Sequence, residues 1–204
     1  MRGHGRTYAA EAGIRLKDTP QPLYRLLVLA VLLSARIRAS VAVAAARELS
    51  EAGLRDPERM ADADWQQRVD ALGRGGYRRY DERTATLLGE GARMVQGRWG
   101  GDLRRLREEA GGDTAALRRL LQEVPGLGPV GADIFLREVQ QVWPETVPYL
   151  DRKALSGAER LHLPKDPDAL VELAGEGEPA SLAAALVRAS LDKAVVEDCL
   201  SRAG

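Results

Sequence analysis

The stretch "VPGLGPVGAD", residues 124–133, is the strongest constraint in this sequence. It puts Pro125, Gly126, Gly128, Pro129 and Gly131 into seven consecutive positions. No single helix can run through it, because an interior proline clashes with the preceding turn and glycine is a poor helix former. Both flanks nevertheless form helix. In "TAALRRLLQEV" the residues Leu117, Leu120, Leu121 and Val124 fall on one face, and Asp113 can cap the start. In "DIFLREVQQVW" Ile134, Phe135, Val139 and Val142 form a helical stripe. The segment predicts a helix over 114–124, a glycine turn, and a helix over 130–142. Glycine permits positive φ and removes side chains that would block a partner. Successive N–H groups aimed outward ahead of a helix N-terminus form an anion site suited to phosphate. Pro129 has no N–H to offer. A tight turn that only packs two helices closely fits the same residues.

The remaining chain also reads as helix, with no good strand. Pro20–Gln21–Pro22 opens a segment to about Ser34 that is apolar on most faces, so a central buried helix is expected. A second helix covers 39–52. Asp56–Pro57, Asp64, Asp113 and Asp166–Pro167 are helix-start signals. A long helix is expected through "YRRYDERTATLLGEGARMVQ", with some loss at Gly89 and Gly91. Residues 180–202 predict one final helix, and "GEGEP" at 175–179 the most flexible loop. About ten helices are expected, with no repeat of fixed period.

Composition removes several function classes. Aromatics are sparse, so the core must rest on Leu, Val, Ile and Ala. Cys199 is the only cysteine, which excludes an intrachain disulfide and a four-cysteine iron–sulfur site. His4 and His162 are the only histidines, which argues against zinc. The longest apolar run, residues 26–35, is too short to span a bilayer. No secretory signal is visible, and a cytoplasmic protein is the simplest reading. The 30 basic and 30 acidic residues cancel, which argues mildly against nucleic acid. The charge is uneven, however: residues 66–119 carry a net excess of four positive charges and 138–204 of five negative ones. A polyanion partner or an ordinary solvated surface both produce such a bias.

Three segments, in order, resemble the helix–hairpin–helix DNA glycosylases related to endonuclease III. "VPGLGPVGAD" resembles that family's Leu-Pro-Gly-hydrophobic-Gly hairpin. "VLLSAR" at 31–36 resembles its Leu-Leu-Ser-Ala-Gln segment, and "LGRGGYRRYDERTATL" at 72–87 its Gly-hydrophobic-Tyr-x-x-Lys-Ala segment. The likeness covers about residues 20–200. It implies an all-α, two-lobed fold, with residues 22–130 in one lobe, residues 1–21 with 131–204 in the other, and a DNA cleft between them. It implies that N–H groups of Gly126, Gly128, Val130 and Gly131 grip a backbone phosphate of double-stranded DNA, with a monovalent cation possible at the hairpin. No other cofactor, no membrane and a monomeric state are expected. Arg78 and Arg79, beside Tyr77 and Tyr80, are further candidate DNA contacts.

Carried over, the catalytic position falls on Asp151 in "PYLDRKAL". Cleaving an N-glycosidic bond builds positive charge on the sugar, and a nearby carboxylate stabilises it. The base must first leave the stack. Asp151 also suits a helix cap before Arg152, and the two roles are compatible. The sequence departs from the family in three places. Val130 stands where bifunctional members carry the lysine that forms a Schiff base, so lysine-dependent strand cleavage should be missing. Lys153 reads as a surface residue rather than its substitute. Arg36 stands where the family has the Gln that fills the gap left by a flipped base; it suits that task, or a helix C-terminus. Without the cysteine cluster, Cys199 is expected to be a small buried residue, and Leu182, Leu186, Leu191, Val195 and Leu200 to hold the C-terminal lobe. The resemblance thus implies a monofunctional DNA glycosylase of base-excision repair, or a protein that keeps the fold and binds DNA without catalysis.

Overall fold

The computed structural model describes residues 3–175 and 177–202. Among them there are thirteen α-helices and no strand. In order these are α1 (Tyr8–Glu11), α2 (Pro20–Ser34), α3 (Ala39–Glu51), α4 (Pro57–Asp62), α5 (Trp65–Arg74), α6 (Asp81–Trp99) and α7 (Leu103–Glu109). They continue as α8 (Thr114–Gln122), α9 (Gly128–Val139), α10 (Arg152–Arg160), α11 (Pro167–Ala174), α12 (Pro179–Leu191) and α13 (Lys193–Ser201). A 3₁₀ turn, Pro144–Thr146, lies between α9 and α10. The chain divides into two compact units, Ala9–Phe135 and Met1–Tyr8 with Leu136–Gly204, so the division falls inside α9.

Local capping explains where most helices begin. The carboxylates of Asp56, Asp64, Asp113, Asp151 and Asp166 each accept an N–H from the first turn of the helix that follows. Asp64 and Gln67 complete a reciprocal capping box. The expected final helix is two helices. Asp192 adopts an extended backbone and its side chain accepts the Ala194 N–H at 2.9 Å, which closes α12 and starts α13.

In the unit Ala9–Phe135, α2 is the core helix. Leu23, Tyr24, Leu26, Leu27, Val28, Leu29, Ala30, Val31 and Leu32 are all buried, so it is covered on nearly every side. α3 and α7 pack against it, and α6 packs on α4 and α5. α6 starts at Asp81, four residues later than the sequence suggests, and runs straight through Gly89 and Gly91. Close packing explains both glycines. A Cβ at Gly89 would lie 2.8 Å from the Arg68 guanidinium, and one at Gly91 would lie 3.3 Å from the Pro125 carbonyl oxygen. Arg68 is buried but satisfied: it donates to the carbonyls of Ala85, Met60 and Ala63 at 2.8, 2.9 and 2.6 Å. Trp99 is a core residue here, and Trp143 is one in the other unit.

In the other unit, α10 and α12 form the closest helix pair. Gly157 lets them approach; a Cβ there would fall 1.8 Å from the Leu186 carbonyl oxygen. Leu182 and Leu186 are buried, but Leu191 is 59% and Leu200 41% exposed, which corrects their expected packing role. Leu191 ends α12 at the break before Asp192, and Leu200 lies in the last turn of α13. Cys199 is half-buried rather than enclosed.

Candidate functional site

The hairpin forms where the glycines require it. α8 ends at Gln122, and Val124 N–H reaches back to Leu121 O at 3.1 Å. Leu127 N–H then bonds Val124 O at 3.0 Å, and α9 starts at Gly128. Gly126 and Gly128 have φ of +87° and +45°, a region that side-chain-bearing residues rarely adopt. The Leu127 side chain is buried as the anchor of the turn. Arg118 on α8 pairs with Asp133 on α9, Nε to Oδ1 at 2.6 Å, and so fixes the two helices against each other.

The four hairpin positions singled out by the sequence differ in what surrounds them. Gly128 faces open space and begins the exposed ridge Gly128–Pro129–Val130. Gly128 and Val130 belong to the first turn of α9, where N–H groups have no intrahelical acceptor. Gly126 is packed: a Cβ there would meet Leu87 and Val31 at 3.2 Å. Gly131 is buried, and a Cβ would lie 3.0 Å from Leu127 and 3.5 Å from the Ala30 carbonyl oxygen, so close packing accounts for its missing side chain. Val130 is 60% exposed, an uncovered apolar side chain on the ridge.

A cavity of about 520 Å³ opens beside the turn. Its wall joins Gly126 and Gly128 to Ser34–Ala35–Arg36 and to Tyr77, Tyr80 and Arg83. Three segments far apart in the chain therefore meet around one space. Tyr77 is fully buried at its back, with its hydroxyl accepting from Thr84 Oγ1 at 3.3 Å. Burial pushes the Tyr77 phenol above its ordinary pKa, so it stays neutral there. Arg36 lies two residues beyond α2, exposed, on the rim. Arg36, Arg78 and Arg79 also line a second, more open depression with Arg38.

No known protein family, curated protein or solved structure matches the chain. The site therefore rests on its own geometry.

Asp151 belongs to the unit that includes Leu136–Gly204, where three interactions hold it. Its Oδ1 caps α10 by accepting Ala154 N–H at 3.1 Å. Both oxygens face Arg137 on α9, with Nη1 to Oδ1 at 3.1 Å and to Oδ2 at 3.3 Å. The two side chains are 10% and 8% exposed. Gln140 fixes the link just upstream: its amide donates to Arg137 O and Tyr149 O and accepts Tyr149 N–H at 3.0 Å. The sequence reading missed Arg137 and Gln140. Arg137 is in the last turn of α9 and Gln140 is the first residue beyond it, but nothing local shows that a folded-back loop meets them there. Among the described residues, no group of three or more His, Cys, Asp or Glu side chains is placed to hold a metal ion. No helix among them is long and apolar enough to cross a membrane.

Proposed function

We propose that this chain binds double-stranded DNA through its hairpin and hydrolyses the N-glycosidic bond of a damaged base taken out of the stack. One observation carries the reading. The segments 31–36, 72–87 and 124–133, which separately resemble parts of the helix–hairpin–helix glycosylases, contribute to one cavity beside the turn. Its volume lies within the range of small-ligand pockets, about 300–1,000 Å³. Gly128 supports backbone contact: it is exposed, it opens the first turn of α9, and open space stands where a side chain would be.

Asp151 is the carboxylate of the proposed reaction. It stabilises positive charge on the sugar as the bond to the base breaks, and water adds to the anomeric carbon. Val130 offers no amine, so no Schiff base forms and the strand stays intact. The test uses duplexes carrying a single deaminated, oxidised or alkylated base. Free base should appear while the backbone resists cleavage until alkali is added, and borohydride should trap no protein–DNA adduct. Strand cleavage without alkali, or a trapped adduct, would contradict this.

A second reading is DNA binding without catalysis. The observation in its favour is the Asp151–Arg137 pair, which occupies both carboxylate oxygens. Tight binding to the same duplexes with no base released from any of them would decide for it.

A further inference from the structure

We propose that Arg36, Arg38, Arg78 and Arg79 form a phosphate site for a nucleic-acid strand, separate from the hairpin. All four line one open depression of about 650 Å³, together with Ile37, Val41 and Gly76 and no acidic residue. All four are exposed, and none has a carboxylate partner among the described residues. Arg74, Arg98, Arg104, Arg107, Arg118 and Arg137, by contrast, each pair with a carboxylate, and Arg68 and Arg160 are satisfied by backbone carbonyls. Arg79 has only the Tyr80 ring, its guanidinium 5.2 Å from the centroid.

The arrangement opposes stability. Arg38 is the N-cap of α3, where a side chain that accepts N–H bonds is favoured and a cation is not. It makes no cap hydrogen bond, and α3 has no acidic residue in its first turn. Crowding four like charges around the positive end of a helix adds repulsion that only an anion relieves. On the Gly76–Arg78 side the backbone donors are already used: Gly76, Tyr77 and Arg78 N–H groups bond Gly73, Leu72 and Gly76 carbonyls. Recognition on that side falls to guanidinium groups, which suit phosphate oxygens, and the first turn of α3 adds the positive end of its dipole. Four unbalanced cations call for more than the single charge of one phosphodiester. Two neighbouring phosphodiesters, or one terminal phosphomonoester, supply it.

The inference rests on the DNA-binding reading for its ligand, but its test is separate. Arg38→Ser and Arg79→Ala, singly and together, are compared with wild type for binding to an intact duplex and to nicked duplexes with and without a 5′-phosphate. The double variant should bind about tenfold more weakly or worse, with a log–log salt slope shallower by about one unit for each phosphate that it no longer neutralises. A weakening on the intact duplex assigns the site to successive phosphodiesters. A weakening confined to the phosphorylated nick assigns it to a chain end. Arg38→Ser should also raise the melting temperature, which replacing a structural arginine would not do. Inorganic pyrophosphate, followed by amide chemical shifts at residues 36–41 and 76–80, probes the site without DNA; shifts there support it even if no duplex binds. Unchanged affinity and slope on every duplex, or no shifts with pyrophosphate, would overturn the proposal.

Discussion

Asp151 carries structure and proposed chemistry together, and the two separate by substitution. With Arg137 it forms a nearly enclosed ion pair, so removing one partner leaves the other buried and uncompensated. Arg137→Met should therefore cost about 3–5 kcal/mol in urea unfolding. Asp151→Asn should cost less, because the amide oxygen still accepts from Ala154 N–H and from Arg137. The double variant should recover part of the loss, a coupling that a double-mutant cycle reads directly. Additive losses would mean that the pair contributes nothing. Two buried tyrosines set a limit at high pH. Burial, helped by the charge of Asp56, raises the Tyr24 phenol pKa, and burial raises that of Tyr77. Below about pH 10 folded and unfolded chains both keep these protons. Above it the unfolded chain loses protons that the fold holds more tightly, so stability falls as pH rises, by at most about 1.4 kcal/mol per unit for each tyrosine. Urea midpoints at pH 9, 10 and 11 should drop accordingly, and less steeply in Tyr24→Phe. A flat profile would show that these phenols ionise in the fold.

At the level of elements, the hairpin separates backbone conformation from packing. Gly128 has positive φ but open space around it, so Gly128→Ala should cost only about 1 kcal/mol. Its effect on duplex affinity should be larger, because the added methyl group stands on the exposed ridge. Equal affinity for wild type and variant would remove the hairpin from the DNA contact. Gly157→Ala is the structural counterpart. Its Cβ would overlap the α12 backbone at Leu186, so α10 and α12 must separate, at about 3 kcal/mol or more. A melting temperature within a few degrees of wild type would contradict that packing. These elements also show what was legible in the sequence. The aspartate caps and the glycine turn were readable because each acts within four residues of itself. The run of α6 through Gly89 and Gly91 was not, because Arg68 and Pro125 explain those glycines and lie far off in sequence. The α12–α13 break had a local signal in Asp192, but apolar residues continue past it at helical spacing and hid it.

For the whole molecule, zero net charge conceals a division of labour among arginines. Counting residues shows that 66–119 is basic, but not which guanidinium groups are free. The fold pairs Arg74, Arg98, Arg104, Arg107 and Arg118 with carboxylates, and among the described residues it gathers Arg36, Arg38, Arg78, Arg79 and Arg83, which have no carboxylate partner, around two adjoining cavities. Gathering Arg36 with Tyr77 and Gly128 needs the packing of α2, α6 and α9, which no local pattern specifies. Arg137 escaped notice for the same reason, since a buried arginine is recognisable only beside its acid. The most direct test of the account is release of free base from a lesion-bearing duplex by wild type and by Asp151→Asn, with folding and duplex affinity measured on both. Wild type should release base, and the variant should fold and bind but release at least about a hundredfold more slowly. Equal release by the two proteins would contradict the role given to Asp151.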